Sequence, residues 1–233
     1  SDEDWPQTEK NYAAMVTRMD REVGRILDHN ADLGLDENTL VFFTSDNGPA
    51  NTGSHDPGFF NSAGPFRGLK RDLYEGGIRV PMIARWPGHV PADTVSDQVW
   101  AFWDVLPTFA ELAGLPASKE IDGLSMVPAL LGQKQRDEHT YLYWDYGHVR
   151  DVYMRAVRWG DWKGLRIGAD ARMELYDLLT DPGEQNDVAA AHPDVVDQIA
   201  AYMEAAFTPS DDYPLGGNYP SGHNPYFIPP DDG

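Results

Sequence analysis

Apolar residues recur every three or four positions through Tyr12, Met15, Val16, Met19, Val23, Ile26 and Leu27, the spacing of a single stripe on an α-helix. This predicts a helix starting at Thr8, because Pro6 excludes an earlier helix interior, and ending at Gly34 as a C-cap. Asp36-Glu37-Asn38 turns the chain into Leu40-Val41-Phe42-Phe43, an unbroken apolar run that reads as a strand over 39–45 covered on both faces. Helix, short loop and buried strand together make half of a doubly wound unit. A second strand is predicted over 78–86, closed by Pro87-Gly88. Within residues 97–112 the pattern predicts a helix with Asp104 as N-cap and Pro107 in its first turn. Trp100, Phe102, Trp103 and Phe109 in that segment read as core packing in preference to a sugar-stacking cluster.

After Gly132 the chain turns polar through Gln133-Lys134-Gln135-Arg136-Asp137-Glu138, which marks a subdomain boundary. Short strands are predicted beyond it at 140–144, 153–158, 162–167 and 174–177, separated by turn residues, as in an antiparallel meander. Val195, Val196, Ile199, Tyr202, Met203 and Ala206 give a helix over 194–207 to cover one face of that sheet. The fold class expected is α/β: part of a mixed, doubly wound sheet flanked by helices, then a small antiparallel sheet with a C-terminal helix. The corresponding domains are residues 1–135, the α/β core; 136–207, the small sheet and helix; and 208–233, a Pro- and Gly-rich arm.

Polarity arrives abruptly where the first strand ends, in Ser45-Asp46-Asn47-Gly48-Pro49. Ligands gather beyond the carboxyl ends of strands in open α/β sheets, and a carboxylate with an amide carbonyl offers hard oxygen donors suited to Ca²⁺ or Mg²⁺. The same residues also suit a plain turn. The following loop, residues 48–68, is long for a compact domain and carries His55, Asp56 and Arg67. His55 is read as a substrate contact or an exposed loop histidine; His148 and Trp144 are lesser candidates.

Further along, Gly68-Leu69-Lys70 leads into Tyr74-Glu75-Gly76-Gly77-Ile78-Arg79-Val80-Pro81. Then, in order, come Asp104-Val105-Leu106-Pro107-Thr108, Leu112-Ala113-Gly114, Asp122-Gly123-Leu124-Ser125 and Glu174-Leu175-Tyr176-Asp177-Leu178. With Thr44-Ser45-Asp46-Asn47-Gly48-Pro49, this ordered set resembles the type I, formylglycine-dependent sulfatases of the alkaline-phosphatase-like superfamily, over residues 8–207 and in their carboxyl-terminal portion. The resemblance implies hydrolysis of sulfate esters, of carbohydrate above all, in a periplasmic or secreted setting. It makes Asp46 and Asn47 ligands of Ca²⁺, with Mg²⁺ as the alternative, and Lys70 the catalytic lysine that steadies charge on the sulfate. Leu69 and Arg71 flank that lysine where many sulfatases have small residues. His55 and Arg67 become substrate-binding candidates. The formylglycine and the remaining metal ligands are expected in the amino-terminal portion of a longer parent, so the fragment alone is expected to be inactive. Ala63-Gly64-Pro65-Phe66-Arg67 has the Pro and Arg of the family's nucleophile motif, but alanine stands where the nucleophile belongs.

Composition narrows this further. The 233 residues hold no cysteine, which excludes disulfides, thiolate zinc sites and a cysteine-derived nucleophile within them. Against 18 Lys and Arg stand 38 Asp and Glu, a formal charge of −20 that argues against nucleic acid or an anionic membrane as partner. No apolar run is long enough to cross a membrane. Two alternatives stay open: a phosphonate or phosphodiester hydrolase of the same superfamily, and a non-catalytic glycan-binding module. Asn47, where zinc phosphatases have His, favours a single oxygen-ligated cation over the first of these.

Overall fold

The computed structural model describes residues 4–53, 55–116, 120–146, 153–168 and 171–209. The chain divides into two compact units: Ser1–Asp46, Asn51–Phe59 and Val80–His139 form the first, and Asn47–Ala50, Phe60–Arg79 and Thr140–Gly233 the second. The segments that carry Asn47 and Lys70 therefore group with the C-terminal sheet, apart from the strand that precedes them in sequence.

In the first unit the amphipathic segment forms helix α1, Gln7–Asp32. Its end is a Schellman motif: Gly34 N–H donates to Ala31 O and Leu35 N–H to Asn30 O, with Gly34 at φ +69°. The predicted stripe has helical period but not the burial expected of it. Met15, Val16, Met19 and Ile26 are exposed, Ile26 at 66%, and Glu9 is the one buried residue of α1. Strands β1, Val41–Thr44, and β2, Met82–Arg85, pair antiparallel with Val41 opposite Arg85 and Thr44 opposite Met82. β1 is half-buried where the apolar run predicted cover on both faces. Phe42 packs on Trp100 and Phe109, but none of the four aromatics read as core is buried: Trp100 and Trp103 are half-buried, and Phe102 and Phe109 are exposed. A bidentate pair from Arg85 to Asp36, both contacts at 2.7 Å, ties β2 to the turn before β1.

The second predicted strand is shorter than its pattern. Residues Glu75–Ile78 form a single helical turn, α2, because Gly76 and Gly77 turn their N–H groups to Arg67 O and Tyr74 O. Helix α3, Val105–Leu112, begins after Asp104 as expected, but the Asp104 carboxylate does not cap it. That fully buried side chain accepts instead from Ala101 N, Leu124 N and His139 Nε2, pinning three segments of the first unit. The short helix α4, Val127–Leu130, packs beside α3, and Thr108 Oγ1 accepts from Met126 N.

The second unit is the antiparallel meander read from the sequence, in the order β3 (Leu142–Tyr146), β4 (Met154–Trp159), β5 (Trp162–Ile167) and β6 (Glu174–Asp177). Helix α5, Pro193–Ala206, lays Val195, Ile199 and Met203 against the face carrying Val157 and Leu175. Gly164 is required there, since a Cβ would lie 2.6 Å from Ile199 Cγ2. The opposite face, with Ala156, Leu165 and Tyr176, packs against Leu73 and Tyr74 of the 60–79 segment. The sheet thus holds a helix on one side and the Lys70-bearing loop on the other. Most of the expected C-terminal arm lies outside the described residues, as does His148.

Candidate functional site

Three glycines bring the two halves of the candidate site together inside the second unit. Gly48 lies so close to α2 that a Cβ on it would meet Gly76 O at 1.8 Å. A Cβ on Gly76 would fall 2.3 Å from Gly68 O, and one on Gly77 2.1 Å from Asp72 O. Only residues without a Cβ let three backbone segments approach this way. Hydrogen bonds close the contact: Gly48 N–H to Gly77 O at 2.8 Å and Lys70 N–H to Pro49 O at 2.8 Å. Asn47-Gly48-Pro49 and Gly68-Leu69-Lys70, some twenty residues apart in sequence, are thereby neighbours. The turn at Lys70 is conformationally demanding, with Gly68 at φ +87° and Arg71, a non-glycine residue, also at φ +87°. Asp72 Oδ2 accepts from Leu69 N and steadies it.

Asn47 donates its side-chain amide to Gly48 O at 2.9 Å. Lys70 is exposed, and among the described residues no carboxylate pairs with it. Asp46, the last residue of its stretch of the first unit, is exposed just beyond β1. Arg67 lies in the second unit with its guanidinium 3.9 Å over the Tyr74 ring, donating to Tyr176 Oη and Glu184 O. Tyr74 and Tyr176 in turn both donate to Glu174 Oε2 at 2.7 Å. Burial, then the bond to Glu174, pushes the Tyr176 hydroxyl up to about 12, and Tyr74 is raised for the same reasons. His55 belongs to the first unit and is not the exposed loop histidine of the alternative reading. It is 9% exposed, stacked on Tyr12 at 3.6 Å, with Nδ1 2.6 Å from Glu9 Oε2. Asp56 N–H donates to the other oxygen of Glu9, so this dyad fixes the 55–59 loop to α1.

Sequence reasoning missed a buried charge cluster behind α2. Lys163 of β5 is wholly buried, with Nζ 2.9 Å from Glu75 Oε1 and 3.1 Å from Glu184 Oε1. Glu184 Oε2 accepts from Glu75 N at 2.7 Å. Arg79 and Arg158 approach Glu75 Oε2 from the rim at 3.7 and 4.0 Å. Burial pushes the Glu184 carboxyl up while Lys163 and the Glu75 N–H pull it down, and the balance is upward. One sign of the cluster stands in the sequence: Lys163 is in phase with Leu165, an inward position on a strand.

A carboxylate, an amide carbonyl and a lysine are chemically suited to an oxygen-ligated cation and an anionic group beside it. Among the described residues no group of three or more His, Cys, Asp or Glu is arranged to hold a metal. Asp46 and Asn47, being hard donors, fit Ca²⁺ in kind.

Residues 1–115 match the family model described as Sulfatase, and residues 66–208 the one described as N-sulphoglucosamine sulphohydrolase, C-terminal. Mouse steryl-sulfatase is 34% identical over 232 residues, covering 83% of this chain and 36% of that protein. Dog N-acetylgalactosamine-6-sulfatase is 42% identical over 154 residues, covering 65% of this chain and 28% of that protein. The chain thus spans about a third of the length of these relatives. Among solved structures, Ps i-CgsB in complex with k-i-k-neocarrahexaose superposes with a TM-score of 0.73 at 29% identity, over 87% of this chain and 44% of that one.

Proposed function

Because the chain belongs to the sulfatase family, with the alkaline-phosphatase-like fold, we propose that it forms part of a sulfate-ester-hydrolysing site in a longer parent. The observation that carries this reading is the pairing of Lys70 N with Pro49 O, which sets the catalytic-lysine candidate beside the segment of the metal-ligand candidate Asn47. In this reading Asp46 and Asn47 hold Ca²⁺, or Mg²⁺ in its place, together with ligands from the parent's amino-terminal portion. A bound cation supplies Lewis-acid polarisation of a sulfate oxygen. Lys70 directs its ammonium at the sulfate group and stabilises the charge that develops as the ester bond breaks. The formylglycine nucleophile is also assigned to the amino-terminal portion, so the chain alone is inactive. His55 and Arg67 are engaged by Glu9, and by Tyr176 and Glu184, so their part is to shape the loops that border substrate. Sulfated carbohydrate is the preferred substrate class, because the relatives include an N-acetylgalactosamine-6-sulfatase and a structural neighbour holding a neocarrahexaose.

The test uses the full-length parent. Lys70→Ala should lower kcat on a sulfate ester by about 10²- to 10³-fold, the loss typical when one donor to developing charge is removed. Asp46→Ala should weaken Ca²⁺ binding in calorimetry and lower turnover more than apparent substrate affinity. Unchanged calcium affinity together with unchanged turnover in Asp46→Ala would sink the metal assignment. Turnover of a phosphonate ester but not a sulfate ester would transfer the reading to the phosphonate hydrolases.

A further inference from the structure

We propose that Lys163, which touches neither the metal-ligand candidates nor the catalytic-lysine candidate, is a positioning residue that sets Lys70 and Asn47 through Glu75 and α2. The proposal rests on the sulfatase reading above and adds a part of the fold to its machinery. A lysine with no exposed surface, facing two carboxylates, is a poor device for stability. Desolvating three charges consumes much of what their attraction returns, and apolar replacements of such clusters are often tolerated. What the cluster does provide is direction. Lys163 Nζ holds Glu75 at one oxygen, and Glu184 reaches the Glu75 N–H, so both the side chain and the backbone at the start of α2 are fixed. Glu184 does this from a left-handed backbone, φ +52°, an uncommon conformation for a residue with a Cβ.

From α2 the constraint runs through backbone alone. Gly76 N–H donates to Arg67 O, and Gly77 O accepts from Gly48 N–H. Gly48 continues into Pro49, whose carbonyl receives Lys70 N–H. The glycine contacts are too close for these segments to slide independently, since even a methyl group would overlap a facing carbonyl. A shift of α2 is therefore passed to Asn47 and Lys70 together. The rim arginines Arg79 and Arg158 balance the extra negative charge and leave Lys163 as the cation that bonds Glu75 from within.

The decisive experiment is a double-mutant cycle in the full-length parent, read by inhibition with inorganic sulfate and by kcat/KM on a sulfate ester. Lys163→Met alone would strand two buried carboxylates, so the variant of choice is the neutral Lys163→Met/Glu75→Gln/Glu184→Gln. Lys163→Arg, which keeps the charge, is made in parallel and serves if the triple variant does not fold. In the presence of Lys70, either variant should weaken sulfate inhibition and lower kcat/KM by about tenfold, as a misplaced catalytic group does. In a Lys70→Ala background the same changes should cost distinctly less, because the part transmitted to Lys70 is gone and only the part carried by Asn47 remains. Equal fold losses in both backgrounds would show that the cluster does not act through Lys70 and would overturn the proposal, as would no loss with Lys70 present. If Lys70→Ala itself leaves turnover and sulfate inhibition unchanged, the sulfatase assignment of Lys70 fails, and the proposal falls with it for that separate and recognisable reason.

Discussion

Gly48→Ala should be among the most damaging single-methyl additions in the second unit. Its Cβ would lie 1.8 Å from Gly76 O and 2.8 Å from Gly76 C, both backbone atoms of a buried turn. No rotamer change relieves such a clash, so one segment must move. Overpacking of this kind costs about 1–3 kcal/mol. The displacement also breaks the 2.8 Å bond from Gly48 N to Gly77 O, worth about 1 kcal/mol. The expected loss is then about 2–4 kcal/mol, or roughly 5–15 °C in Tm for a protein of this size. Gly24→Ala is the control: Gly24 lies within α1, and an added methyl group there would meet nothing within 4 Å, so the exchange should stabilise by about 0.5–1 kcal/mol. Urea unfolding of both variants, with equal m-values, measures the difference. A Gly48→Ala protein within about 0.5 kcal/mol of wild type would refute the close-packed glycine contact and with it the rigid link between Asn47 and Lys70.

Two other expectations follow from backbone and charge. Arg71 at φ +87° should prefer glycine to alanine, so Arg71→Gly is expected to be more stable than Arg71→Ala by about 1 kcal/mol in thermal melts, opposite to the usual order; Ala at or above Gly would contradict it. Burial tends to raise the Asp187 carboxyl, but the N–H groups of Ala189 and Leu175 and the Arg172 guanidinium hold it below the ordinary 3.8. A lowered carboxylate contributes stability that is present above 3.8 and lost as pH falls through the folded value, so Asp187→Asn should flatten the pH dependence of Tm below pH 3.8 and lower Tm at neutral pH; a variant whose acid limb matches wild type would refute it.

What the residues disclose in sequence is periodicity, and what they conceal is what each period faces. The α1 stripe announced its helix correctly, down to Gly34 in the terminal motif, yet most of that stripe is exposed. Period 3.6 reports amphipathicity and is silent on whether a partner surface is at hand. Strands β5 and β6 fall where alternation placed them, and β3 and β4 shift by one or two residues, because turn residues bound these strands on both sides. The 78–86 strand is shorter than its pattern because Ile78 closes the α2 turn, set by the Gly76 and Gly77 N–H bonds to Arg67 O and Tyr74 O, and residues 79–81 pair with no strand before β2 begins at Met82. Asp104 was legible as a helix-start residue but not as the hub that also receives Leu124 and His139, contacts that exist only after folding. Lys70, Asn47 and Asp46 came from ordered motifs. Lys163 and Glu184 did not, since a lysine in a short strand and a glutamate after Asp181-Pro182-Gly183 look like ordinary surface positions until strand phase is weighed.

The contrast between the two lysines bears on how an acidic chain would offer a cation to the proposed sulfate group. With a formal charge of −20, a lysine here is surrounded on average by carboxylates, and the easiest fate for it is neutralisation. Lys163 meets that fate completely, enclosed by Glu75 and Glu184 with no exposed surface, and has no charge to offer a ligand. Lys70 is exposed and carries no carboxylate partner among the described residues, although Asp72 lies two residues away. Asp72 is occupied: its Oδ2 accepts from Leu69 N, which turns the carboxylate to the backbone. The buried cluster thus uses its charges to fix α2, and the turn uses its nearest carboxylate to fix itself. Of these two ammonium groups that of Lys70 remains unclaimed, at the segment joined to Pro49, where the proposed sulfate contact needs a cation that no internal anion has already claimed.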